Sequence, residues 1–138
     1  MKIIALTGGL ACGKSAVSRM FEAAGVPRCD ADQVSHELIR PGKPAWKEIV
    51  RDFGAAILFP DQNIDRKKLA GIVFQDALKR KQLEKIIHPR VRKEMRSWIQ
   101  TQKKSGATMV LLENPLLFEV GWNKENKWDA LVVVVCTP

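Results

Sequence analysis

The chain has 138 residues, of which 46% are hydrophobic and 28% are charged, a balance typical of a globular domain and not of a disordered segment. Lysine and arginine outnumber aspartate and glutamate by 23 to 15, and the net charge of +8 favours anionic partners, either nucleic acids or polyphosphates. The sequence contains no apolar run of the roughly 18 residues that a membrane helix needs and no signal-peptide pattern, and its three cysteines have no zinc or disulfide spacing, so we expect a cytoplasmic protein.

The N-terminal part of the chain predicts a strand–helix–strand unit. Residues 2–7 form a short apolar strand, which glycines then interrupt. The next residues have the spacing of an amphipathic helix that ends at Gly25. The apolar stripe of this helix is predicted to consist of Val17, Met20, Phe21 and Ala24. A second strand over residues 26–29 contains Pro27, which favours an edge position.

Residues from about 38 to 105 are predicted to be mainly helical, with aspartate, proline and glycine at the helix ends. Asp65 and Asp76 are predicted N-caps. We expect one helix to end near His88 and a new one to begin at Pro89, because proline favours the first helical turn. Earlier helices are predicted over residues 32–39 and 44–53. The core face of the last helix is predicted to consist of Val91, Met95, Trp98 and Ile99.

Two further strands are predicted at residues 107–113 and 131–136. Their nearly continuous apolar character indicates strands that are covered on both faces, as in a parallel sheet. The alternation of strands and helices therefore predicts an α/β fold with three layers, in which helices flank a parallel sheet.

A glycine-rich segment between the first strand and the first helix matches the phosphate-binding pattern G-x-x-x-x-G-K-[ST] over residues 8–15. Gly8 and Gly13 permit backbone angles that are closed to other residues, so that successive N–H groups can surround an anion at the start of a helix. Lys14 is expected to reach the β- and γ-phosphates of ATP, and Ser15 to bind Mg²⁺. The predicted nucleotide-binding residues are Gly9, Ala11, Cys12, Gly13, Lys14, Ser15 and Ala16. The alternative is a purely structural glycine turn.

Two carboxylates, Asp30 and Asp32, directly follow the second strand. Loops at the carboxyl ends of parallel strands line the ligand crevice of such sheets, so Asp32 can face the phosphate loop. A carboxylate there could accept a proton from an attacking hydroxyl group or hold Mg²⁺ through water. The alternative for both residues is capping of the next helix.

The motifs taken together resemble the dephospho-CoA kinase family. The segments that carry the resemblance are Leu6 to Ser15, Asp30-Ala31-Asp32, Pro41-Gly42, Asp65-Arg66-Lys67, His88-Pro89 and Pro115-Leu116-Leu117-Phe118-Glu119. The resemblance implies a P-loop NTPase fold and ATP-dependent phosphorylation of the ribose 3′-hydroxyl of dephospho-CoA, a small-molecule partner, with no nucleic acid or membrane partner. It also implies Asp32 as general base beside Lys14, and a metal site that includes Ser15 and the position of Glu113. Residues implied to contact the substrate are Asp32, Arg66, His88, Phe118 and Glu119.

Bland alternatives remain for several of these residues. His88 could be a helix-end histidine, Arg66 could be a solvated charge, and Phe118 could be part of the core. The run of basic residues from Lys79 to Arg96 could bind nucleic acid, but it surrounds apolar helix faces without interleaved aromatic residues, which favours a solvated surface.

The sequence departs from the family pattern in three ways. Glu113 stands where the family usually has aspartate, and Ala16 where it usually has threonine. Family members also continue beyond position 138 into an arginine-bearing lid and a fifth strand. We therefore expect residues 1–138 to form one P-loop kinase domain that lacks the lid and last strand, with a helical substrate-side insertion at about 38–105. Without the lid, a weakly catalytic ATP-binding module is an alternative function, as is another small-metabolite kinase.

Overall fold

A computed structural model describes residues 1–8, 13–114 and 128–135. The strands are β1 (Lys2–Gly8), β2 (Arg28–Asp30), β3 (Met109–Glu113) and β4 (Ala130–Val134). The helices are α1 (Lys14–Ala23), α2 (Ala31–Leu38), α3 (Pro44–Phe53), α4 (Arg66–Gln75) and α5 (Ala77–Lys104), with a 3₁₀ turn at Ala55–Ile57. None of the helices within these described ranges is long and apolar enough to cross a membrane.

The four strands form one parallel sheet in the order β2-β3-β1-β4. The central strands β1 and β3 are covered on both faces, and Ala5, Leu6 and residues 110–112 of β3 have no exposed surface. This burial explains why the sequence of β3 is almost continuously apolar. Strand β2 pairs only with β3 among the described strands, in agreement with the edge position that Pro27 predicts. The predicted α/β class with a helix-flanked parallel sheet is therefore confirmed.

Helix α1 has the predicted location, but its predicted apolar stripe is partly wrong. Met20 is 71% exposed and Ala24 is also exposed, whereas the polar residue Ser18 is 1% exposed. Ser18 can be buried because its hydroxyl group accepts a hydrogen bond from Arg28 Nη1 at 3.1 Å.

The prediction of two helices meeting at Pro89 is wrong, because α5 continues through this residue from Ala77 to Lys104. Proline removes one backbone donor from the helix, and the neighbouring Arg90 side chain donates from Nη1 to the carbonyl of Ile86 at 2.7 Å. Val91 and Met95, beyond the proline, are 0% and 1% exposed, so burial of the predicted core face favours continuation of the helix.

The chain divides into two compact units: the first combines Met1–Val34 with Arg92–Pro138, and the second is Ser35–Val91. The second unit has its own apolar core, formed by Ile39, Ala45, Ile49, Ile57, Ile64, Leu69 and Ile86. Asp65 caps α4 as predicted, since its Oδ1 accepts from the backbone N–H of Lys68 at 3.2 Å. The interpretation of residues 38–105 as a substrate-side insertion within one kinase domain remains a prediction.

Candidate active site

The start of α1 lies in the same compact unit as the carboxyl ends of β1, β2 and β3. In a parallel sheet these ends share one edge, which is why residues distant in sequence can meet there. Gly13 immediately precedes α1 with φ of 83°, a left-handed conformation that favours glycine. Its carbonyl accepts from the backbone N–H groups of Ala16 and Val17 at 3.1 and 3.2 Å. This arrangement starts the helix as the phosphate-binding motif predicts.

One asparagine side chain connects the predicted catalytic residues. Lys14 Nζ donates a hydrogen bond to Asn114 Oδ1. Asn114 Nδ2 in turn donates to Asp30 Oδ1 and to Asp32 Oδ2, each at 3.1 Å. The structure therefore brings Lys14 and Asp32 to opposite ends of the same amide group.

The sequence analysis missed Asn114, which directly follows β3 and is 6% exposed. Its φ is 58°, and asparagine is one of the few residues with a side chain that tolerates this left-handed conformation. Its backbone N–H donates to the carbonyl of Leu6 at 2.9 Å, which fixes the residue against the end of β1. An asparagine directly after a buried parallel strand is the signal that could have found it.

The two aspartates after β2 have different environments. The backbone N–H of Asp32, in the first turn of α2, donates to Asp30 Oδ1 at 2.9 Å, so Asp30 has the capping role that the sequence suggested for it. Asp32 contributes Oδ2 to the contact with Asn114. A carboxylate held in this way at the carboxyl edge of the sheet can accept a proton from a bound hydroxyl group.

Glu113 lies beside this network but faces a different partner. It is 4% exposed, and its Oε2 lies 3.3 Å from Arg28 Nη1. Arg28 also lies 3.4 Å from the carboxylate of Glu22 through Nε. Burial, with Asp30 and Glu113 nearby, raises the pKa of the neighbouring Cys29 thiol to about 12. The carboxylate that the sequence analysis assigned to metal binding is thus already paired with a cation.

Comparison with known proteins identifies the family. The dephospho-CoA kinase family model matches residues 2–138. The chain belongs to the dephospho-CoA kinase family. The curated dephospho-CoA kinase from Bacillus anthracis is 47% identical over 117 residues, which cover 85% of this chain and 58% of that protein. The curated dephospho-CoA kinase from Arabidopsis thaliana is 43% identical over 135 residues, which cover 98% of this chain and 57% of that protein. The chain thus spans somewhat more than half the length of these relatives.

Solved structures agree with this assignment. The dephospho-CoA kinase from Campylobacter jejuni has a TM-score of 0.74 and 29% identity, over 96% of this chain and 66% of that one. A Thermus thermophilus protein has a TM-score of 0.76 and 32% identity, over 96% of this chain and 64% of that one. These likenesses support the P-loop kinase fold of the dephospho-CoA kinase family.

The oxygen donors near α1 suit Mg²⁺, which usually takes one or two protein ligands and completes its shell with water and substrate phosphates. Ser15 is exposed in the first turn of α1, and Asp32 provides a hard carboxylate oxygen in the same unit. No cluster of three or more histidine, cysteine or acidic side chains in the described ranges could hold a metal by itself. Ser15 and Glu113 as metal ligands remain predictions.

Two of the residues that the dephospho-CoA kinase resemblance assigns to substrate binding lie in the second unit, Ser35–Val91. Arg66 contacts the His36 ring, and both line a cavity of about 780 Å³. Asp61, in the same lining, has its pKa lowered because the side chain and backbone of Asn63 donate hydrogen bonds to it. His88 is half-buried on α5. The substrate roles of Arg66 and His88 remain predictions.

Several predicted site residues lie outside the part of the chain that the structure describes. They are the nucleotide-binding residues Gly9, Ala11 and Cys12 and the substrate-binding residues Phe118 and Glu119. The remaining predicted nucleotide-binding residues, Gly13 to Ala16, lie at the start of α1.

Proposed function

We propose that this chain carries the nucleotide-binding and proton-accepting part of a dephospho-CoA kinase, which uses ATP to phosphorylate the ribose 3′-hydroxyl group. The observation that carries the proposal is the link from Lys14 through Asn114 to Asp32 at the start of α1. It joins a cation suited to phosphate with a carboxylate suited to an alcohol proton, in a chain that belongs to the family.

The reaction requires little covalent chemistry from the protein, and the main tasks are positioning and charge stabilisation. The ammonium group of Lys14 and the N-terminal N–H groups of α1 hold the phosphate oxygens of ATP. The ribose 3′-oxygen forms a bond to the γ-phosphorus while the bond from that phosphorus to the β–γ bridging oxygen breaks, and ADP leaves. Asp32 accepts the proton that the 3′-hydroxyl group loses.

A bound magnesium ion would neutralise charge on the phosphates, and we propose Ser15 as the residue that holds it. Glu113 is the less favoured ligand because its carboxylate is paired with Arg28. We also propose a cytoplasmic location, which is in line with Cys29 being a buried free thiol. A small-molecule substrate accounts for the basic net charge without a nucleic acid partner.

The proposal is tested by incubating the chain with Mg-ATP and dephospho-CoA and measuring CoA and ADP by chromatography. Asp32→Asn should lower kcat by about 100-fold or more, the usual contribution of a general base, while Mg-ATP affinity stays near that of the wild type. Lys14→Ala should abolish measurable Mg-ATP binding in calorimetry. Asp52→Asn is the matched control, because it makes the same chemical change on α3, which belongs to the other compact unit.

Two results would contradict the proposal in different ways. Unchanged turnover in Asp32→Asn would remove this residue as the proton acceptor. Tight Mg-ATP binding by the wild type without any CoA would favour the alternative of an ATP-binding module for this chain. Loss of binding in Lys14→Ala would then still establish the phosphate site.

A further inference from the structure

We propose that Asn114 is a positioning residue, which holds Lys14 and Asp32 in place before nucleotide binds and gives Lys14 a neutral partner. This inference rests on the proposed function and assigns a role to a residue outside the phosphate-binding motif. Its basis is the set of three hydrogen bonds made by one buried amide group.

The chemistry of the contacts fixes the orientation of the amide. The oxygen of Asn114 faces the ammonium group of Lys14, and its NH₂ group faces the carboxylates of Asp30 and Asp32. A rotation of 180° would point the NH₂ group at the cation and the oxygen at two anions, so both ends would repel their partners. The amide therefore has one favourable orientation, and water cannot easily replace it because Asn114 is 6% exposed.

Three replacements that share a property with asparagine each fail one of these requirements. Aspartate has the same shape but lacks the two N–H donors, so it would repel Asp30 and Asp32 while attracting Lys14. Glycine tolerates the φ of 58° but has no side chain, and glutamine is longer and less suited to this backbone conformation.

A neutral partner also controls how readily Lys14 is released. The Lys14–Asn114 bond already has a charged donor, but a carboxylate partner would add Coulombic attraction between two full charges and would compete more strongly with the phosphates of ATP. The Asn114 oxygen holds the ammonium group by a weaker interaction that the phosphates can displace. Meanwhile its NH₂ group keeps the Asp32 carboxylate oriented for the arriving hydroxyl group.

Two substitutions separate these effects. Asn114→Asp creates the competing charge pair and should weaken Mg-ATP binding by about fivefold to tenfold in calorimetry, because the new carboxylate attracts the Lys14 ammonium group more strongly than the amide oxygen does. Asn114→Gly keeps the backbone conformation and leaves Lys14 without this partner, so Mg-ATP affinity should stay within about twofold of the wild type or rise. In turnover, Asn114→Gly should lower kcat about tenfold or more with little change in KM for ATP, because the Asp32 carboxylate loses the hydrogen bond from the Asn114 amide.

The matched control is Gln100→Glu, which makes the same change in net charge at an exposed position of α5. It should leave Mg-ATP affinity unchanged. If both Asn114 variants bind Mg-ATP as the wild type does, or if both lose affinity equally, the positioning role is overturned. The affinity measurements do not depend on turnover. An absence of CoA formation would therefore count against the proposed function, whereas the Mg-ATP affinities of the wild type and the two Asn114 variants would still decide the role of Asn114.

A measurement on the wild type keeps the inference testable if the variants do not fold. The side-chain NH₂ resonances of Asn114, followed by ¹⁵N NMR, should shift when Mg-ATP is added, since Lys14 leaves the amide oxygen. The same resonances should shift in nucleotide-free Lys14→Met. Resonances that stay in place in both experiments would overturn the inference.

Discussion

The replacement of Gly8 by alanine is the most direct test of how the sheet is built around the phosphate-binding segment. Gly8 is the last residue of β1 and pairs with Val134 of β4. A Cβ atom at Gly8 would lie 2.8 Å from the carbonyl oxygen of Val134 and 3.2 Å from its Cβ. The first distance is too short for a real contact, and the atom involved belongs to the backbone. The two strands must therefore move apart to accept even one methyl group.

The expected loss follows from the cost of overpacking. Extra volume in a well-packed region typically costs about 1–3 kcal/mol, so we expect Gly8→Ala to lower the free energy of unfolding by about 2 kcal/mol. With a urea m-value of about 2 kcal/mol per M, the midpoint should fall by about 1 M. Urea unfolding followed by circular dichroism measures this change. Hydrogen exchange of the β1 amides should report the same loss within the first compact unit.

Gly71→Ala is the matched control. Gly71 lies inside α4 and does not have a positive φ, and within the described residues no atom apart from the neighbouring backbone of α4 lies within 4 Å of its hypothetical Cβ. Alanine should therefore stabilise the helix by about 0.5–1 kcal/mol. If Gly8→Ala left both the urea midpoint and the β1 exchange rates unchanged, the close approach of β1 and β4 would not be real.

Three further perturbations have defined outcomes. Asp65→Ala removes the N-cap of α4 and should cost about 1 kcal/mol in thermal or urea unfolding, whereas an unchanged midpoint would show that the cap is unimportant. Because the pKa of Cys29 is raised from 9.0 to about 12, the unfolded chain loses this proton at lower pH than the folded chain. The free energy of unfolding should therefore fall as pH rises from about 9 to about 12, and the fall should be smaller in Cys29→Ala. The same dependence on pH in both proteins would exclude this thiol as its cause. Leu131 and Val133 on β4 are 45% and 53% exposed, so we expect the chain to self-associate and Val133→Lys to reduce this association. A monodisperse wild-type monomer at high concentration in light scattering would refute the expectation.

Much of the fold could be predicted because hydrophobic periodicity and turn residues agree with the tertiary structure. The limits of α3, Pro44–Phe53, are the predicted ones, and the caps Asp65 and Asp76 lie where expected. Pro89 misled the prediction because proline is a local signal, whereas continuation of α5 depends on burial of Val91 and Met95. Met20 was also misassigned from a local pattern. The buried position on α1 is occupied by Ser18, which accepts a hydrogen bond from Arg28, and Met20 remains exposed.

Two candidate site residues could be selected from the sequence. The phosphate-binding pattern selects Lys14, and the position after a strand together with the family resemblance selects Asp32; the structure brings both to the Asn114 amide, and their roles remain predictions. Glycine is required at position 8 for a reason other than the predicted one. Gly8 does not have a positive φ, and a side chain there would instead clash with Val134 of β4. Asn114 was not predicted, because its three partners are distant in sequence and only its position directly after a buried strand could have indicated it.

Consecutive residues at the end of β3 belong to two separate charge networks. Glu113 pairs with Arg28, whose Nη1 lies 3.3 Å from Glu113 Oε2. Asn114, in its left-handed conformation, instead contacts Lys14 and Asp32. Without Arg28, the Glu113 carboxylate would lie unpaired at the end of β3, opposite Asp30 of β2. Under the proposed function, Arg28 would keep this charge from opposing the phosphates of ATP, and the neutral Asn114 amide would leave Lys14 exchangeable.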